Sequence, residues 1–183
     1  MGNLFNRWYD YFFSYPQCKI LFGGLDAAGK TTMLYRLFRG ETIPVTPTIG
    51  FNVETIQINE MNMILWDIGG RSKIFALYKY YFDELDAFVI VVDSNDPERF
   101  KDVQENVLHY VFDEERLQNI PILIFANKQD LKGALSCDQI VERMNLMNIK
   151  QKWKIQGCSA TNGTGLIEGF EWLSKEIKKN KSK

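Results

Sequence analysis

The sequence predicts an α/β fold: a doubly wound, mostly parallel six-stranded sheet flanked by helices, preceded by an N-terminal amphipathic helix. Three observations carry this. Continuous apolar runs at Ile20-Leu21-Phe22, Ala87-Phe88-Val89-Ile90-Val91-Val92 and Ile122-Leu123-Ile124-Phe125-Ala126 suit strands covered on both faces. Helix-compatible segments alternate with them, as parallel strands require. Residues 51–58 and 61–67 are strand-like runs joined by Asn59-Glu60, a hairpin that contributes one antiparallel strand.

Taken in order, residues 2–15 place Leu4, Phe5, Trp8, Tyr9, Phe12 and Phe13 at helical spacing, with Asn3, Asn6, Arg7 and Asp10 mostly on the other face. Pro16 stops that helix, so residues 1–16 form one unit and 17–183 the domain proper. Such a helix either lies in a groove of its own domain or leaves it for a membrane surface. Gly2 follows the initiator Met and is positioned for N-myristoylation, although the stricter pattern wants Ser or Thr where Asn6 stands. One myristoyl chain binds membranes with an association constant of only about 10⁴ M⁻¹, so the aromatic helix would be a suitable second signal.

Gly24-Leu25-Asp26-Ala27-Ala28-Gly29-Lys30-Thr31-Thr32 fits G-x-x-x-x-G-K-[ST] between an apolar strand and the helix-compatible run Thr32–Phe38. The glycines let successive backbone N–H groups of Asp26, Ala27, Ala28 and Gly29 point into one concavity at a helix N-terminus. Lys30 would place an ammonium between the β- and γ-phosphates, the Thr31 hydroxyl would ligate Mg²⁺, and Thr32 would add a hydroxyl near the α-phosphate. A chance glycine turn capping a helix would not come with this flanking pattern. The stretch predicts nucleotide binding.

Residues 40–50, with two prolines and two glycines, read as a loop. Asp96-Pro97 is expected to cap a helix running to about Leu117, and later helices are expected over 136–146 and 164–180, flanking a strand near 152–158. His109, the only histidine, falls mid-helix and reads as structural. Cys18, Cys137 and Cys158 are scattered, odd in number and without metal-ligand spacing, which points to free thiols in a reducing compartment. The net charge of −1 gives no drive towards nucleic acid, and no apolar run is long enough to span a bilayer, so a cytosolic protein is expected. Residues 175–183 carry five lysines against Glu176, which reads as a solvated helix end or a membrane-surface patch.

Three further segments carry chemistry. Trp66-Asp67-Ile68-Gly69-Gly70 follows a strand, where Asp67 could hold Mg²⁺ through water. Asn127-Lys128-Gln129-Asp130 follows another, and the Asp130 carboxylate can accept from the N1–H and exocyclic amine of guanine, a donor pair adenine lacks. Cys158-Ser159-Ala160-Thr161 follows the last strand, where the Ala160 N–H could contact guanine O6.

With these residues the chain resembles a small GTPase of the ADP-ribosylation factor (Arf) family over nearly its whole length. The resemblance rests on Gly24–Thr32, Pro47-Thr48-Ile49-Gly50-Phe51-Asn52-Val53-Glu54, Leu65–Gly70, Val91–Asp96, Phe125–Leu131 and Trp172-Leu173-Ser174. It implies the P-loop small GTPase G domain, GTP and GDP as ligands with Mg²⁺, and a switch controlling membrane traffic. Guanine base and phosphate contacts are implied at Asp26–Thr32, Thr48, Gly70, Asn127, Lys128, Asp130, Ser159 and Ala160, with Thr31, Thr48 and Asp67 around the metal. Thr48 and the Gly70 N–H would sense the γ-phosphate. The hairpin between them resembles the family's sliding interswitch, which in the GTP state fills the groove that the N-terminal helix occupies with GDP; an even-numbered slip keeps every side chain on its own face. Phe51, Trp66 and Tyr81 match the family's effector-contact triad, although buried core competes for each. Implied partners are an exchange factor, a GTPase-activating protein, effector or coat proteins and an endomembrane such as the Golgi, with the chain itself a monomer.

One residue departs from the pattern. Arg71 stands where most of the family has the glutamine that orients the attacking water. Arginine has five donors and no acceptor, so it could join Lys30, Thr48 and Gly70 in stabilising phosphate charge but cannot take the water's hydrogen bond. Slow hydrolysis with intact binding is expected. The alternatives are an Arf-like scaffold that holds GTP without useful hydrolysis and, more distantly, a phosphate-loop kinase, against which Asn127–Asp130 argues.

Overall fold

The computed structural model describes residues 15–39, 51–68, 80, 82–109 and 114–182. Its strands are β1 (Gln17–Gly23), β2 (Phe51–Ile58), β3 (Met61–Ile68), β4 (Ala87–Asp93), β5 (Ile122–Asn127) and β6 (Trp153–Gly157). They form one six-stranded sheet in the order β2-β3-β1-β4-β5-β6. Only β2 and β3 are antiparallel; all other neighbours are parallel. The order reverses between β3 and β4 on either side of β1, so a crevice opens at the carboxyl end of β1, where such sheets bind ligands. The hairpin turn is the expected pair, Asn59 and Glu60, with φ of 49° and 58°. Two positive φ values match the right-handed twist of the flanking strands.

The continuous apolar strands are buried on both faces. On one, α1 (Lys30–Arg39) and α4 (Leu166–Lys181) press Met33, Leu34, Phe170, Leu173 and Ile177 against Ile20, Phe22, Val89 and Phe125. On the other, Phe100, Val103, Val107, Ile140 and Met144 cover Leu21, Phe88, Ile90 and Ile124. Phe100 and Val103 lie on the one-turn α2 (Phe100–Val103), and Ile140 on α3 (Cys137–Arg143).

Two helix expectations change. The segment after Asp96 is a composite: a 3₁₀ turn Pro97–Arg99, then α2, then a π turn Gln104–Leu108. Pro97 stands at the first position as expected, but the Asp96 side chain makes no capping bond. The expected continuation to Leu117 crosses residues outside those described. The 136–146 helix ends at Arg143, its start fixed by a reciprocal capping box between Ser136 and Gln139. The expected N-terminal helix lies outside the described residues.

The basic tail is tied to the domain. Lys181 Nζ pairs with Asp86 at 2.8 Å and reaches Gln17 O at 3.1 Å. Lys178 Nζ donates to Asn59 O at 2.7 Å, and Asn59 Nδ2 donates to Ser174 Oγ at 3.0 Å, so the hairpin turn is docked on α4. Among the described residues, no helix is long and apolar enough to cross a membrane.

Candidate functional site

The loop from Gly24 to Gly29 leaves the crevice end of β1 and opens α1. Gly24, Ala27 and Gly29 take φ of 136°, 58° and 95°, an alternation that turns backbone N–H groups to one side. Neither glycine has room for a side chain: a Cβ on Gly24 would lie 2.4 Å from Val91 O, and one on Gly29 would lie 2.3 Å from Asn127 Nδ2. Lys30 is buried, its ammonium donating to Gly24 O and Leu25 O at 2.9 Å each. Burial lowers its pKa from the ordinary lysine range, while Asp67 and then Asp26 oppose that shift. A buried cation at the mouth of a glycine loop is what a phosphate chain requires.

Thr31 and Asp67 meet beside it. The Thr31 hydroxyl donates to Asp67 Oδ2 at 2.6 Å, and Asp67 is fully buried. The β3 register sets this up by placing Asp67 opposite Phe22 of β1, level with the start of the loop. A hydroxyl and a carboxylate converging at one point are hard oxygen donors that fit Mg²⁺. The described residues hold no group of three or more His, Cys, Asp or Glu able to form a cage, so the remaining ligands of such an ion would be phosphate and water. Thr32 is half-buried on the first turn of α1.

Across the crevice, Asn127 ends β5 and binds in two directions. Its Nδ2 donates to Ala28 O at 2.8 Å, and its Oδ1 accepts from the Ala160 N–H at 2.9 Å. Asn127 thereby ties two loops together. It braces the phosphate loop to the loop after β6. The Ala160 N–H is directed at Asn127, because a buried donor needs an acceptor within the protein. Lys128, at φ 68°, forms an ion pair with Asp93, which helps hold a backbone conformation unusual for lysine. The exposed Asp130 carboxylate is held below the ordinary carboxylate range by hydrogen bonding from Ser159 and, more weakly, from Thr161. Ser159 Oγ and Thr161 Oγ1 share a 2.8 Å hydrogen bond. An ionised carboxylate beside two hydroxyls is a ready acceptor for the donor edge of a base.

Asp26 is engaged by Arg99: its carboxylate and its carbonyl both accept from the guanidinium. The sequence reading missed Arg99, as well as the Asn127 brace. Nothing local to Arg99 points to residue 26, nor anything local to Asn127 to residue 28. Trp66 is half-buried against the core, and Phe51 is the first residue of β2. Gly2, Thr48, Gly70, Arg71 and Tyr81 lie outside the described residues.

A profile of the ADP-ribosylation factor family matches residues 7–177. Among solved structures, the chain is similar to one described as the Arl6 BBS3 small GTPase from Trypanosoma brucei with bound nucleotide analogue GppNp. The TM-score is 0.81 at 30% sequence identity, covering 90% of this chain and 99% of that chain.

Proposed function

We propose that this chain, which belongs to the ADP-ribosylation factor family of small GTPases, works as a guanine-nucleotide-dependent switch that recruits effectors at an intracellular membrane and hydrolyses GTP slowly. The observation that carries the reading is the two-sided crevice: a buried Lys30 within a glycine loop on one side, and the ionised Asp130 with Ser159 on the other, braced together by Asn127. Mg²⁺ held by Thr31 and, through water, Asp67 would neutralise charge on the β- and γ-phosphates. Thr48 and Gly70 would report the γ-phosphate, and Arg71 would stabilise charge without orienting water.

The hairpin register supports a conformational reading. A two-residue slide of β3 along β1 would carry Asp67 about 7 Å from Thr31 and break the docking of Asn59 on α4. A cavity of about 360 Å³, lined by Leu37, Phe38, Ile56, Ile58, Asn62 and Ile167, lies between α1, β2 and α4. The chain arrives beside it, since Asn62 donates from its backbone to Pro16 O at 3.0 Å and from its side chain to Tyr15 O at 3.5 Å. This supports seating the N-terminal amphipathic segment there in one nucleotide state and on a membrane in the other, with myristate on Gly2 as the second anchor. Phe51, Trp66 and Tyr81 would then meet effector or coat proteins, with an exchange factor and an activating protein setting the cycle, in the cytosol and on endomembranes such as the Golgi.

The test is competition binding with Mg²⁺ present. GDP and GTP should displace a labelled guanine nucleotide, and ADP and ATP should not. Equal displacement by adenine nucleotides would sink the reading.

A further inference from the structure

Arg99 stands outside every motif quoted above, yet it binds the phosphate loop. One guanidinium nitrogen donates to Asp26 O at 3.3 Å, and the other pairs with the Asp26 carboxylate. The scaffold fixes its position. Phe100 and Val103, immediately after it, are buried in the same apolar cluster as Leu25 of the loop. Arg99 therefore meets residue 26 from a rigid base, with Asp102 at 4.0 Å steadying the guanidinium from the other side.

The loop carries a negative charge four residues before the lysine that must receive phosphate. Left alone, the Asp26 carboxylate has two harmful options: to repel the terminal phosphate, or to swing onto Lys30 and compete for its ammonium. In the structure Arg99 is the strongest influence on Asp26 and Lys30 the weakest of those acting on it, while Lys30 is engaged with Gly24 O and Leu25 O.

We propose that Arg99 is a positioning residue for nucleotide discrimination. It holds the Asp26 carboxylate away from the terminal-phosphate end of the loop, and so preserves affinity for the triphosphate relative to the diphosphate. The proposal rests on the guanine-nucleotide reading of this site. Its effect passes through Asp26, because the carboxylate is the group that would intrude. A direct attraction between Arg99 and phosphate would act whether or not Asp26 were present.

Affinities for GDP and for GppNp, measured on nucleotide-stripped protein in Mg²⁺ buffer, test this through a double-mutant cycle. Arg99→Gln, which keeps hydrogen-bonding capacity for Asp26 O but removes the charge, and Arg99→Ala should each lower the GppNp-to-GDP affinity ratio by about fivefold, the scale of one added charge in a partly hydrated site. In an Asp26→Ala background the same substitutions should leave the ratio unchanged. Arg99→Lys should restore much of it. An equal fall in both backgrounds would overturn the proposal in favour of a direct effect, and no fall in either would overturn it outright. If the unaltered chain binds no guanine nucleotide, the reading of the site fails and this inference with it. If the unaltered chain binds but the ratio does not move, only this inference fails.

Discussion

The Asn127 side-chain amide donates a 2.8 Å hydrogen bond to the carbonyl of Ala28, 99 positions earlier in the chain, while its oxygen takes the Ala160 N–H. Both partners are backbone groups of buried residues. Asn127→Ala should therefore cost stability in the unliganded protein, by about 2 kcal/mol for leaving such groups unsatisfied. Urea unfolding should show a lower midpoint with unchanged slope, and affinity should fall for GDP and GTP alike. Loss of guanine selectivity with full stability would instead make Asn127 a base contact.

Asp130 should recognise guanine without pH dependence across the neutral range. Its folded pKa lies below the ordinary value of 3.8, chiefly through Ser159. A depressed carboxylate is ionised above its unfolded pKa and loses its contribution only as pH falls through the lower, folded value. The guanine-over-adenine preference should thus be flat from about pH 8 to pH 5. Asp130→Ala should abolish the preference at every pH, and a titration centred near neutrality would contradict the assignment.

Position 71 is expected to bear on rate alone. Because arginine offers no acceptor to water, Arg71→Gln should speed single-turnover hydrolysis of Mg²⁺–GTP by about tenfold or more, a barrier change of about 1.4 kcal/mol. GDP affinity should not move. Matching rates would mean that water is oriented by another group, leaving the switch reading intact and removing the brake.

The three thiols should separate cleanly. Burial pushes Cys18 up to about 12, and also raises Cys158 and Cys137. At pH 8 Cys18 then carries an about thousandfold smaller thiolate fraction than an ordinary thiol. Alkylation followed by peptide mass analysis should find Cys137, the only one of the three that is not fully buried, modified first. Cys18 and Cys158 should react only with unfolding; early labelling of Cys158 would mean that the loop after β6 opens readily.

Local patterns disclosed the strands, the hairpin and the phosphate loop because each is written in neighbouring residues: an apolar run, two turn residues, two glycines and a lysine. The composite helix after Asp96 was not legible, since Pro97 gives a start signal whether or not the aspartate caps and the π turn leaves no mark in the spacing. Within the site, residue types singled out Lys30, Thr31 and Asp67, and the structure brings Thr31 and Asp67 together beside the loop. Residue types did not foretell Asn127 as a brace or Arg99 as the partner of Asp26, because both depend on which loops the sheet order brings together.

That sheet order also dictates when the site can exist during synthesis. β1 is made first, yet it lies at the centre of the sheet, and its two neighbours are complete only at residues 68 and 93. The brace from Asn127 waits longer still, for Ala160. A nascent chain therefore carries its phosphate loop unbraced through most of translation, with β1 lacking edge partners. Nucleotide capture has to come late, once nearly the whole domain has left the ribosome, and a guanine nucleotide is then placed to seal the final fold rather than to seed it.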